Sequence, residues 1–380
     1  MIRGREAAAW WLLACACAGD DAPRYELDGL TVIQGFDEPI CAGTFPYFER
    51  RLRWLEQETG LPRDPEGLMY RWLFDRASLE DACDLSLGGC TKGRTMFGDL
   101  IVFSHELVHA HLARLGTPRP WLTEGMAVML ADEHSRSPHP LFTPSVMMQI
   151  DEARELDYAA AGAFTTYLRE RYGMALLLDY YVTSANTDAD AALVIFADIL
   201  GDSFADVEAD YLAGGLPDTS GSLDCDGPDA VAWGGEAWEY TFRLACDETG
   251  SIGPQRSEDD SGSYLWSKVT MTAPAGWISF DLDASAPTWI SVIECEGTEA
   301  VFLATDNPHA AMYLAGGRYL VYADGFTADA SIARVTARSL PAAPSLVRHG
   351  PPPGLLSHAP RDSHGCAGAE VVLRVTADAA

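Results

Sequence analysis

Three side chains constrain the folding of this 380-residue chain more than any other feature. His105 and His109 stand at the two ends of His105-Glu106-Leu107-Val108-His109, and Glu124 follows in Trp121-Leu122-Thr123-Glu124-Gly125. On a helix, positions i and i+4 lie on one face, so the two imidazoles project side by side. Glu106 falls about 100° further round, beside the histidines rather than between them. Gly116, Pro118 and Pro120 break the chain, so Glu124 can meet the histidines only by returning on a second helix. The segment Asp99–Leu115, with Ile101, Val108, Leu112 and Leu115 at helical spacing, reads as the first helix. Trp121–Leu130 reads as the second, with Thr123 as its N-cap and Gly125 letting the two helix backbones approach.

Two neutral imidazoles and a carboxylate are the donors of a catalytic zinc ion, which takes three protein ligands and keeps one position for water. Zinc lowers the pKa of such a water to about 7 and polarises a carbonyl oxygen. A carboxylate at Glu106 reaches that water without ligating the metal. The expected site is therefore Zn²⁺ held by His105, His109 and Glu124, with Glu106 as general base. A tetrahedral oxyanion needs a further donor. Tyr158 is the candidate, an ordinary packing tyrosine being the alternative, and Tyr167, His134 and His139 stand behind it. His111 lies on a different face from His105 and His109 and reads as a surface histidine.

These motifs resemble the gluzincin branch of zinc metallopeptidases, which carry His-Glu-x-x-His on one helix and a glutamate ligand on the next. Trp121-Leu122-Thr123-Glu124-Gly125-Met126-Ala127 is similar to the Trp-x-x-Glu-Gly-x-Ala signature of the peptidase-MA-like group. Tyr158–Phe164 followed by Tyr167–Gly173 resembles the next helix of that group. The resemblance spans roughly residues 25–215, with sharp motifs only in 101–127. It implies a zincin-like catalytic domain acting as an endopeptidase, with His105, His109 and Glu124 as ligands and Glu106 as general base. The chain departs from the pattern in two places. Its ligand spacing is shorter than in thermolysin-like members, and Val128 stands where some gluzincins have an acidic residue. The metzincin pattern fails, because Leu112 and Leu115 occupy its glycine and third-histidine places.

A net charge of −30 argues against nucleic acid or an anionic membrane surface as partner; the resemblance implies a peptide or protein substrate. Arg3, Arg5 and the apolar run Ala7–Ala14 have the shape of a secretory signal, too short to span a bilayer. Leu12-Leu13-Ala14-Cys15 also resembles a bacterial lipoprotein box. One reading lipidates Cys15, or Cys17; the other is a plain signal cut near Ala16 or Ala18. Either places the protein outside the cytoplasm, secreted or lipid-anchored in a bacterial envelope. Export permits disulfides: Cys83 with Cys90, or Cys41 with one of them, then Cys225 with Cys246 and Cys295 with Cys366. Seven cysteines beyond the signal leave one over.

Along the chain, residues 1–18 read as the signal and 19–214 as the catalytic domain. Residues 215–228 read as a Gly/Asp/Ser-rich linker and 229–380 as a second domain. The first part opens with strand Leu30–Ile33, helix Thr44–Glu58 and strand Leu68–Phe74. Helices at Gly162–Tyr172, Met174–Val182, Ala189–Leu200 and Phe204–Leu212 follow the two site helices. Beyond the linker, short alternating segments recur at Trp238–Leu244, Tyr264–Met271, Trp277–Leu282, Thr288–Glu294, Ala300–Ala304, Ala310–Leu314 and Arg318–Tyr322, with Ala369–Val375 as a last strand. Leu314–Tyr322 is similar to a late strand of bacterial pre-peptidase C-terminal domains. The expected fold class is an α+β catalytic domain, mostly helical around the site, followed by an all-β sandwich. A second function stays open: a surface-binding lipoprotein whose zinc lobe is structural or inactive and whose β-sandwich takes the ligand.

Overall fold

The computed structural model describes residues 22–74, 76–83, 88–131, 142–214, 230–256, 262–295, 300–326 and 330–340. The expected signal, Cys15, His134, His139, the expected linker at 215–228, Cys225, Cys366 and the expected strand at Ala369–Val375 lie outside them.

The first half is built on a mixed sheet. Its strands are β1 (Arg24–Leu27), β2 (Leu30–Gln34), β3 (Leu68–Trp72), β4 (Gly89–Lys92) and β5 (Thr95–Gly98), in the order β1-β2-β3-β5-β4. β2, β3 and β5 run parallel, and β1 and β4 close the two edges antiparallel. Helix α1 (Thr44–Thr59) crosses from β2 to β3, and Gly60, in the left-handed region at φ 66°, ends it. Helix α2 (Arg76–Cys83) leads to β4. After β5 the chain is helical: α3 (Phe103–Leu112) with a 3₁₀ turn at Ala113–Leu115, α4 (Pro120–Ala131), α5 (Pro144–Met148), α6 (Tyr158–Tyr172), α7 (Met174–Thr183), α8 (Ala189–Leu200) and α9 (Phe204–Gly214). Asp157 and Asp188 cap α6 and α8 by accepting from the amides of Ala160 and Ala191. Phe48, Tyr70, Trp72, Phe103, Trp121 and Phe164 are fully buried in one core that spans the sheet and the helices.

The second half consists of β-strands, as expected. They are β6 (Ala230–Ala232), β7 (Ala237–Leu244), β8 (Ile252–Arg256), β9 (Ser263–Ala273), β10 (Gly276–Ala284), β11 (Thr288–Glu294), β12 (Ala300–Ala304), β13 (His309–Leu314), β14 (Gly317–Phe326) and β15 (Ser331–Ser339). One sheet runs β13-β10-β15-β7 and the other β12-β11-β14-β9, with β6 and β8 both pairing with β9. Their facing sides share a second core that includes Trp238, Phe242, Phe280, Ile290 and Val321.

The halves are joined covalently and through backbone. Cys41 is bonded to Cys246, and Cys83 to Cys90. The Cys83–Cys90 bridge is one of the expected pairs. The Cys225–Cys246 and Cys41–Cys83/Cys90 pairings are corrected. Cys41 precedes α1 on a segment that adds to the second half: the amides of Cys41, Ala42 and Gly43 donate to the carbonyls of Gly253, Cys246 and Ser251. That register sets Cys41 against Cys246. Cys295 is also disulfide-bonded.

Three local expectations are corrected as well. Ile101 is 59% exposed rather than part of a buried stripe, because α3 begins only at Phe103. Thr123 is no N-cap: α4 starts at Pro120, whose missing amide suits a first turn. Gly125 does bring two backbones together, but the partner is α6. A Cβ there would lie 2.7 Å from the Ala161 carbonyl oxygen and 2.1 Å from Thr165 Oγ1.

Candidate metal centre

Helix α3 carries His105, Glu106 and His109, α4 carries Glu124, and the two helices pack side by side. α3 is buried on nearly every side, so its polar residues face protein. The three expected ligand atoms converge. His105 Nε2 is 3.2 Å from Glu124 Oε2, His109 Nε2 is 3.1 Å from the same oxygen, and the two nitrogens are 3.0 Å apart. A tetrahedral ion with bonds of about 2.0–2.1 Å has ligand–ligand edges of about 3.3–3.4 Å, so this triangle fits one zinc ion with little adjustment. Among the described residues, it is the cluster able to hold a metal. Burial would raise the Glu124 carboxyl, but hydrogen bonds from His105 and His109 outweigh it and hold it down to about 2. The expected third ligand is thus a carboxylate at any ordinary pH.

Glu106 lies beside the triangle and outside it. Burial raises its carboxyl above the usual glutamate range, against the pull of His109 and of the Thr91 hydroxyl. Thr91, on β4, donates to Glu106 Oε2 at 2.7 Å and to the Glu106 carbonyl at 3.1 Å. β4 can lie this close because Gly89 and Gly98 face each other in the β4–β5 register. A Cβ on Gly89 would come 2.6 Å from Val102 and 3.2 Å from the Glu106 stem. The sequence pattern marked no strand in this stretch and left Thr91 out of the site; Gly88-Gly89, just before the bridged Cys90, was the available signal.

The entry to α3 is held from several sides. Asp99 Oδ1 accepts from the amides of Ile101 and Val102 at 3.0 and 3.3 Å. Its Oδ2 accepts from Gln255 of β8 at 3.1 Å. Tyr47 of α1 places its hydroxyl 3.1 Å from that of Ser104, next to His105.

Tyr158 opens α6 with its ring 6.0 Å from that of His105, at 30° to it. It is half-buried at the rim of the triangle. Tyr167 is drawn away, stacked on Phe164 and accepting from Arg171. His111 corrects the sequence reading: it is 2% exposed, with Nε2 3.1 Å from the Thr59 hydroxyl. Burial lowers its pKa to about 4, so it is a neutral core histidine and not a surface one.

No family model matches the chain, and no curated protein matches it. Several solved structures align with parts of it. A mutant of a family 29 carbohydrate binding module shares 13% identity over 27% of this chain and 80% of its own, at a TM-score of 0.15. A family two carbohydrate esterase from Cellvibrio japonicus shares 13% over 29% of this chain and 38% of its own, at 0.14. Hydroxypropylphosphonic acid epoxidase from S. wedmorenis shares 13% over 46% of this chain and 96% of its own, at 0.13. TM-scores this low do not establish a shared fold.

Proposed function

We propose that this protein is an exported zinc-dependent peptidase of the gluzincin kind, cleaving within peptide or protein chains. The observation that carries the reading is the convergence of His105 Nε2, His109 Nε2 and Glu124 Oε2, all within 3.2 Å of one another, with Glu106 beside them. Bound zinc supplies a Lewis acid and a water acidic enough to attack a carbonyl at neutral pH. The chain supplies the rest. Thr91 holds Glu106 Oε2, which leaves Oε1 to take the attacking water's proton and deliver it to the leaving nitrogen. A raised carboxyl pKa suits both halves of that task. Tyr158, on the His105 side, is assigned to donate to the oxyanion.

The strand beside the site favours a peptide. β4 is an edge strand that carries Thr91 to within hydrogen-bond reach of Glu106. An extended peptide lying alongside Thr91 would run as a further strand of this sheet. The strongly acidic chain draws cationic rather than anionic substrates. Localisation outside the cytoplasm rests on the N-terminal segment and on the disulfides; no described helix is long and apolar enough to cross a membrane.

Metal analysis of the purified protein tests the ligand set. About one zinc per chain is expected, with His105→Ala and Glu124→Ala each losing most of it. A Glu124→Ala protein that retained zinc would overturn the third ligand.

A further inference from the structure

The outer face of the β12-β11-β14-β9 sheet holds a second constellation. Along β14, burial alternates so that Val321, Ala323 and Gly325 enter the core while Tyr322, Asp324 and Phe326 face outward. In an antiparallel sheet, a residue's nearest neighbours on its own face are the residues opposite it on both flanking strands and those two places away along its own. For Asp324 these are Trp266 on β9, Trp289 on β11, Tyr322 and Phe326. All of them are aromatic. The rings form two edge-on pairs, Trp266 with Tyr322 at 5.9 Å and Trp289 with Phe326 at 5.5 Å. Asp324 stands between the pairs. Burial raises its carboxyl pKa, and no hydrogen bond or cation among the described residues offsets it. An unpaired carboxylate walled by apolar rings costs stability.

Such a box complements an organic cation. Ring faces carry negative quadrupole potential, and the carboxylate adds a full charge where water is scarce. One wall already performs this role within the chain: Lys268 Nζ lies 5.5 Å from the Trp266 ring centre and 5.3 Å from that of Tyr47. The other side is open, with Trp289 41% exposed. A net charge of −30 draws cations to the surface. A neutral sugar would want several hydrogen-bonding groups around it, and the box has a single carboxylate at its centre. We propose that Asp324, with Trp266, Trp289, Tyr322 and Phe326, binds a lysine or arginine side chain of a polypeptide partner. The site stands whether or not the metal centre is hydrolytic.

Binding would be measured on the full-length Glu106→Gln protein, so that no probe is consumed. The probes are end-blocked peptides of equal length carrying arginine, lysine or glutamine at one position. Arginine and lysine peptides should bind and quench tryptophan fluorescence, and glutamine peptides should bind at least tenfold more weakly. Asp324→Asn and Trp289→Leu should each weaken basic-peptide binding at least tenfold, with zinc content and near-ultraviolet circular dichroism unchanged. Unchanged affinity in both variants would overturn the proposal. So would failure of every basic peptide to bind, or Asp324-dependent binding of a neutral oligosaccharide in their place. An absence of peptide hydrolysis by the wild-type protein would overturn the peptidase reading alone.

Discussion

At the scale of single residues, the candidate chemistry depends on groups that hold other groups in place. Thr91 fixes one oxygen of Glu106, and a hydrogen bond to a charged group contributes about 1.5–3 kcal/mol. Thr91→Val should therefore lower kcat by about tenfold to a hundredfold with KM and zinc content little changed. Steady-state kinetics beside metal analysis would check this, and a change confined to KM would contradict it. Asp324 is testable through stability. Burial raises its carboxyl to about 6, so the folded protein keeps a proton that the unfolded chain releases from about pH 4 upward. Folding stability from this group is thus unaffected below about pH 4 and falls as pH rises toward 6. Asp324→Asn removes that penalty. It should be more stable than the wild type at pH 7.5 by ~2–3 kcal/mol, and so melt at higher temperature, with no such advantage at pH 3.5. Thermal scans at both pH values would decide. An equal difference at the two would mean that the carboxylate is not desolvated.

At the scale of elements, the site depends on how closely α4 approaches α6. Gly125, next to Glu124, faces Ala161 and Thr165 with no room for a Cβ. Gly125→Ala should cost about 1–3 kcal/mol as the helices separate, and should weaken zinc binding because the ligand moves with its helix. Urea unfolding and zinc competition would be read together. Lost stability with unchanged zinc affinity would show that α4 adjusts without shifting Glu124. The same scale shows what was legible from sequence. Long periodic segments were readable: α8 falls at Ala189–Leu200 and β11 at Thr288–Glu294, as expected. β15 was overlooked although its residues alternate, because the inward positions hold Ser331, Ala333, Val335 and Ala337, too small to mark a buried face. The β4–β5 hairpin was overlooked because its strands are short and glycine-bearing. The convergence of His105, His109 and Glu124 was legible, since helical spacing and two prolines nearly dictate it. The burial of His111 was not: periodicity assigns faces only when one face meets solvent, and α3 is enclosed nearly all round.

At the scale of the whole molecule, the β-half is joined to the element that carries His105 and His109. Gln255 holds Asp99 at the entry to α3, and the Cys41–Cys246 bridge closes a span of 205 residues. Chain entropy for a loop of that size is worth roughly 5 kcal/mol. Replacing both cysteines by serine should lower the unfolding temperature and let the two cores melt as separate transitions in calorimetry. A single transition at the wild-type temperature would show that the bridge contributes nothing. The central claim is that one buried cluster both holds zinc and moves protons. The most direct measurement compares zinc-loaded wild type with Glu106→Gln on a broad peptide library, with cleavage read by mass spectrometry and zinc content measured on the same samples. The account predicts equal zinc in both proteins, cleavage by the wild type, and a loss of about 10²–10⁴-fold in the variant. Equal cleavage by the two proteins, or no cleavage by a fully zinc-loaded wild type, would contradict it.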